Sequence, residues 1–310
     1  MINQLTTNTA YAAKSLNTHL SAVESMVKGL ELTTIIENST SMDKPKLRAQ
    51  HGLSLLVKVD LDGSNKMTIL FDTGPSSETV LYNIDAMNID LSAVDLIFLS
   101  HGHYDHTSAL LSVLKKIGKK IPIIAHPNIF KPKLRVEPHL KYIGLPFKQA
   151  EAEEAGGIML LAKNPITLAK GVLTSGEIER NTPFEKTTNF HTIEEERFIE
   201  DNLPDDQALI IEVEGKGITV ISGCAHSGII NTVKQAQRLT TIKEIHLVAG
   251  GFHLEKADNK QIDLTAEELQ QLNPKLLAPC HCTGLNATCT LLKTFKERCK
   301  PLRTGDTLTI

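Results

Sequence analysis

Apolar residues recur at helical spacing at the start of the chain. Ala13, Leu16, Leu20, Val23, Val27 and Leu30 form one stripe, so residues 1–30 are expected to make an amphipathic helical extension. That helix packs either on its own chain or between subunits, which leaves an oligomer open. From Leu32 the texture changes to short β-rich runs at 32–36, 53–60 and 67–72, with Asp62-Gly63 as a hairpin signal between the last two. A helix-like stretch at 78–87, a strand at 96–100, a helix over 107–117 and a strand at 121–125 then alternate β with α. Residues 130–155, interrupted by Pro132, Pro138 and Pro146, are expected to be a surface excursion that shapes a pocket.

The second half repeats this order. Strands are expected at 166–168, 209–213 and 217–222, a helix at 229–239 and a strand at 245–249. An acidic first turn places a helix start at Thr265, followed by a strand at 275–278, a helix at 285–297 and a last strand at 308–310. No linker breaks this run, so 31–310 is expected to be one domain.

Composition narrows the possible functions. The chain is 41% hydrophobic and 22% charged, values of a globular protein. Its formal net charge of -3 supplies no positive field for a nucleic-acid partner. The longest apolar runs, 96–99 and 158–162, are too short to cross a membrane, and the polar first ten residues carry no secretory signal pattern. All the cysteines (Cys224, Cys280, Cys282, Cys289 and Cys299) are in the last third and odd in number, unlike a disulfide scaffold. A cytoplasmic protein with reduced thiols is expected, with Cys280 and Cys282 reactive near the site described next.

That site begins with His101-Gly102-His103-Tyr104-Asp105-His106, three imidazoles and a carboxylate between an apolar strand and an amphipathic helix. Such crowding is costly unless a cation binds it. A strand-to-helix turn can direct alternate side chains at two neighbouring ions: His101 and His103 to one, Asp105 and His106 to the other. Gly102 permits the tight path between the first two. His253 follows a Gly-Gly turn and is placed to bind substrate or carry a proton. His51 precedes a core strand and is a candidate substrate contact. Thr283 and Gly284 are expected to offer a hydroxyl and a backbone amide to an anionic small-molecule substrate at a helix start.

The run resembles the HxHxDH signature of the metallo-β-lactamase superfamily. Asp72-Thr73-Gly74 after a β-hairpin and the late isolated His281 fit the same pattern. His51-Gly52-Leu53-Ser54, Gly223-Cys224-Ala225-His226, Gly250-Gly251-Phe252-His253 and Pro279-Cys280-His281-Cys282-Thr283-Gly284 resemble one branch. It is the branch named for 7,8-dihydropterin-6-ylmethyl-4-(β-D-ribofuranosyl)aminobenzene 5′-phosphate synthase. The resemblance implies an α/β (α+β) fold, a four-layer αββα sandwich of two mixed β-sheets flanked by helices, with a metal site at one edge. It implies His281 as a ligand of the second ion and Asp72 as the group orienting a ligating imidazole.

This chain also departs from the superfamily. The turn expected to hold a third histidine reads Thr174-Ser175-Gly176-Glu177, and Gly223-Cys224 stands where a bridging aspartate is usual. His226 is the candidate to complete the set. Cys224 is either a soft thiolate ligand or a packing residue, and Glu177 is a further alternative. The expected metal is zinc, as one or two ions, with iron or manganese as alternatives. The expected activity is hydrolysis of an ester, lactone, thioester or phosphoester by metal-activated water, with Asp105 and His253 as catalytic groups. The alternatives are the branch's own chemistry, displacement of pyrophosphate from a dihydropterin by an aminobenzene riboside, and a metal-binding sensor without turnover.

Overall fold

In the computed structural model, which describes residues 27–62, 65–186 and 189–310, the chain opens with β1 (Gly29–Ile36), β2 (Ser54–Asp60) and β3 (Lys66–Phe71). There follow α1 (Ser77–Ala86), β4 (Leu96–Phe98), α2 (Tyr104–Thr107), α3 (Leu110–Ile117), β5 (Ile121–Ala125), β6 (Leu134–Arg135), β7 (Lys141–Tyr142), α4 (Gln149–Glu154) and β8 (Gly157–Leu161). Next come β9 (Thr167–Ala169), β10 (Val172–Thr174), β11 (Phe190–Glu194), β12 (Arg197–Glu200), β13 (Ala208–Val213) and β14 (Gly217–Ser222). The chain ends with α5 (Ile229–Thr240), β15 (Ile245–Gly251), α6 (Asn259–Leu272), β16 (Leu276–Cys280), α7 (Leu285–Phe295) and β17 (Thr307–Thr309).

Strand side chains alternate between two faces, and here both faces are apolar. Leu55, Val57, Phe71 and Phe98 point inward and meet Leu209, Ile211, Ile221 and Leu247 of the other half. Their sequence neighbours Leu56, Leu70 and Ile97 point outward under Val80 and Ile84 of α1 and Leu110, Val113 and Leu114 of α3. Likewise Ile210, Val220 and Val248 are covered by Ile229 and Val233 of α5, Leu269 of α6 and Leu291 of α7. A sheet apolar on both faces needs cover on both, and each such side chain contributes about 1.5–3 kcal/mol when buried. The result is the expected αββα sandwich.

Both main sheets are mixed. The first runs β17-β1-β2-β3-β4-β5-β8 and the second β16-β15-β14-β13-β10-β9. The strands β3-β4-β5 of the first and β14-β15-β16 of the second are parallel. A small third sheet, β12-β11-β6-β7, was not anticipated; the excursion at 130–155 supplies two of its strands.

Three local expectations are corrected. Residues 1–26 of the expected helix lie outside the described residues, but Val27 forms a bridge with Val213 and Leu30 belongs to β1, both buried in the inter-sheet core. Val27 and Leu30 thus serve strand pairing instead of a helix face. The helix placed at Thr265 starts at Asn259, because Asp258 caps it by accepting from Gln261 N at 2.8 Å. The helix placed over 107–117 is two pieces, α2 and α3, separated by Ser108 and Ala109.

Candidate metal centre

The parallel strands deliver the site. Asp72 follows β3, the run from His101 follows β4, Cys224 and His226 follow β14, His253 follows β15 and His281 follows β16. All these segments leave the carboxyl ends of their strands. Because the two sheets face each other, the loops meet at one edge of the sandwich. Asp72, Ala225, His253 and His281 hold φ between 51° and 55°, a left-handed backbone that non-glycine residues rarely adopt. Such conformations cluster where surrounding structure fixes side chains for a task.

Two donor sets lie side by side. His103 Nδ1 is 3.0 Å from His101 Nε2 and 3.1 Å from His226 Nε2. In the second set, His106 Nε2 is 3.2 Å from both Cys224 Sγ and His281 Nε2, while Asp105 Oδ2 is 3.6 Å from His281 Nε2 and 3.2 Å from His51 Nε2. Cys224 also lies with His101 and His106, so its sulfur joins the two sets, and it groups again with His253 and Cys282.

The outer ring nitrogens are held by partners that set the tautomers. His101 Nδ1 is 2.9 Å from Ser100 Oγ, whose own proton goes to Asp72 Oδ2. His106 Nδ1 is 2.6 Å from Asp72 Oδ2, and His281 Nδ1 is 2.9 Å from Asn38 Oδ1. His101 and His281 therefore turn an Nε2 lone pair inward, and Asp72 fixes the orientation of the His106 ring. Burial pushes His101 and His226 well below the usual imidazole range, His103 to about 3 and His281 to about 4, so these rings are neutral. Lone pairs of neutral rings facing one another at 3 Å fit a cation between them, and His103 Nε2 is itself buried without a hydrogen-bond partner.

The carboxylates counter burial. Burial alone would lower His106, but Asp72 and Asp105 outweigh it and hold the ring at about 9. Burial alone would raise Asp105, but His106, a hydrogen bond from His51 and His281 bring it well below the carboxylate range. Burial pushes the Cys224 thiol up. Cys282 is lowered against the same influence by its bond with Cys224 and by His281 and His253.

Nearly all of the expected donors are thus brought together: His101, His103, Asp105, His106, Cys224, His226 and His281, with His51 and His253 beside them. All but His101 and His106 line one cavity of about 290 Å³. Others are not brought in. Glu177 is bound to His126 at 2.9 Å and does not reach the donor sets. Thr283 is fully buried behind the wall, donating to Cys280 O and accepting from Phe252 N, so its hydroxyl is not offered to a substrate. Gly284, outside the cavity lining, packs so tightly that a Cβ would come within 2.6 Å of Glu255 Cα. Neither residue is thus part of the cavity wall.

Sequence reading missed Glu37 and Asn38, which hold the backbone and ring of His281 from more than 240 positions away. It also missed Lys133, Asp201 and Asp205, of which Asp205 accepts from Gly102 N at 2.8 Å and so braces the histidine turn. The cavity wall residues Phe190, Arg135 and Lys141 come from the unanticipated small sheet. No local pattern marks any of these.

A family model described as the metallo-β-lactamase superfamily matches residues 50–281. The chain belongs to this superfamily. It is 39% identical over 285 residues to the 7,8-dihydropterin-6-methyl-4-(β-D-ribofuranosyl)-aminobenzene-5′-phosphate synthase of Methanocaldococcus jannaschii, covering 90% of this chain and 96% of that protein. An uncharacterized protein of the same organism is 33% identical over 242 residues, covering 78% of this chain and 87% of that protein. Among solved structures, Tm1679, described as a metal-dependent hydrolase of the β-lactamase superfamily, superimposes with a TM-score of 0.73 at 25% identity, covering 90% of this chain and 98% of that one. Members of the superfamily usually bind divalent metals, and the donor sets here are of a kind that could hold them. No helix among the described residues is long and apolar enough to cross a membrane.

Proposed function

We propose that this chain is a metal-dependent enzyme acting on phosphorylated small molecules, and that its reaction is the synthase chemistry of its archaeal relative: an aminobenzene riboside phosphate displaces pyrophosphate from a dihydropterin. The observation that carries this reading is the 39% identity spread over nearly the full length of both proteins. His101, His103 and His226 would hold one ion; Asp105, His106, His281 and Cys224 would hold the other. Three imidazoles suit zinc, and the carboxylate of the second set also admits iron or manganese. A divalent cation there would act as a Lewis acid on phosphoryl oxygens or lower the pKa of a bound water.

The chain's own groups supply the rest. His253, half-buried, with its Nδ1 unpartnered and its ring 4.2 Å from that of His226, is placed to take or give a proton at the cavity wall. His51 is raised by its hydrogen bond to Asp105, outweighing burial, and stands at the cavity rim. Phe190 packs over His103 and His226 at 5.2 and 5.1 Å between ring centroids, which limits access of water to that side.

Hydrolysis of an ester, lactone, thioester or phosphoester is the second reading, favoured by the likeness to Tm1679. A pyrophosphate-release assay with pterin and aminobenzene riboside substrates, run beside a panel of esters, lactones and phosphodiesters, separates the two. His103→Ala is expected to abolish turnover and bound metal together. Turnover only with the panel would overturn the synthase reading, and metal binding with no turnover anywhere would favour a sensor.

A further inference from the structure

We propose that the small sheet above the metal centre carries an anion subsite, in which Arg135 and Lys141 grip a phosphate or diphosphate group of the substrate away from the donor sets. This rests on the reading of the chain as an enzyme of phosphorylated compounds. Arg135 and Lys141 are direct Cα partners across β6 and β7, so their side chains leave the same face, and both line the cavity. Like charges directly opposite on neighbouring strands repel. Other cations of the same region are neutralised: Lys131 by Glu194 at 2.7 Å, and Lys133 by Asp201 and Asp205 at 3.0 and 2.5 Å. Neither Arg135 nor Lys141 has an ion pair of this kind among the described residues.

Arg135 Nε is buried with no hydrogen-bond partner, a costly condition for a guanidinium N–H unless a ligand completes it. Lys141 Nζ stands 5.4 Å from the ring of Tyr104, the residue before Asp105. Arg135 is also the Cα partner of Phe190 in β11, whose ring packs on His103 and His226. One aromatic residue therefore links the cation pair to the metal centre. Lys186 and Lys256 add positive charge around the same cavity, where Glu255 and Asp105 are the acidic side chains. A guanidinium fork binds phosphate oxygens in a bidentate way and an ammonium binds them as a point charge. Two cations held against their mutual repulsion suit a polyanion. Gripping a phosphate there leaves the reacting atoms of the substrate free to reach the donor sets.

The test is calorimetric titration of the metal-loaded protein with inorganic pyrophosphate, for wild type and for Arg135→Gln, Lys141→Gln and, as a control, Lys131→Gln. Each of the first two is expected to weaken binding about tenfold with bound metal unchanged, and Arg135→Lys to recover part of the loss, while the control matches wild type. Absence of pyrophosphate binding by wild type, or affinities within about twofold of wild type in both Gln variants, overturns the subsite. If pyrophosphate binds through Arg135 but no phosphorylated substrate turns over, the functional reading fails and the subsite stands. Turnover with an unaltered KM in both variants has the opposite meaning.

Discussion

Asp72 Oδ2 lies 2.6 Å from His106 Nδ1, and neither side chain is exposed to solvent. The same carboxylate accepts from Ser100 N at 2.8 Å and from Ser100 Oγ at 2.7 Å, so it orients His106 directly and His101 through the serine. Asp72→Asn places an amide where an acceptor is needed. Metal affinity, measured by competition with a chelator, is expected to fall by roughly 10–100-fold. Wild-type affinity in the variant would reduce Asp72 to a turn residue.

Lys133 is enclosed by Asp201 and Asp205 at 3.0 and 2.5 Å and is almost fully buried. Lys133→Met leaves two buried carboxylates uncompensated. Denaturant titration should show a loss of about 3–5 kcal/mol. Because Asp205 also holds Gly102 N, metal content should fall as well.

Cys224 Sγ groups with His101 and His106 and lies 3.2 Å from His106 Nε2. Cys224→Ser removes a thiolate donor and should lower the metal content after mild chelation, whereas Cys224→Asp restores an anionic donor and should retain it. Metal content identical in the serine variant and wild type would assign Cys224 to packing alone.

Glu185 offers a pH test away from the centre. Burial raises it from 4.5 to about 7, although it accepts from Ile230 N and Asn231 N at 2.7 and 2.9 Å at the start of α5. Below pH 4.5 both folded and unfolded chains hold this proton. Between 4.5 and about 7 only the unfolded chain readily releases it, so stability falls across that window and levels off above it, by something of the order of 3 kcal/mol. Glu185→Gln cannot ionise, and its urea midpoint should lack this slope. A profile parallel to wild type would contradict the assignment.

The sequence by itself determined the layers and the chemistry of the donors. Apolar residues on both faces of strands such as Leu55-Leu56-Val57 fit cover on both sides, and the six positions from His101 to His106 crowd three imidazoles and a carboxylate of a kind that could hold a cation. The order of the elements and the crowding of donors are local properties, legible in periodicity and spacing, while the four-layer sandwich was implied by the resemblance of the motifs to the metallo-β-lactamase superfamily. The tertiary structure alone decided which distant groups complete them. Nothing near His281 points to Asn38, nothing near Gly102 to Asp205, and nothing at Arg135 to Phe190, since each contact depends on strand register and on how two sheets meet. Thr283 and Glu177 lie off the cavity wall for the same reason: sequence position shows that a side chain is near a site along the chain, while backbone geometry decides whether it faces the cavity or is spent on an internal hydrogen bond.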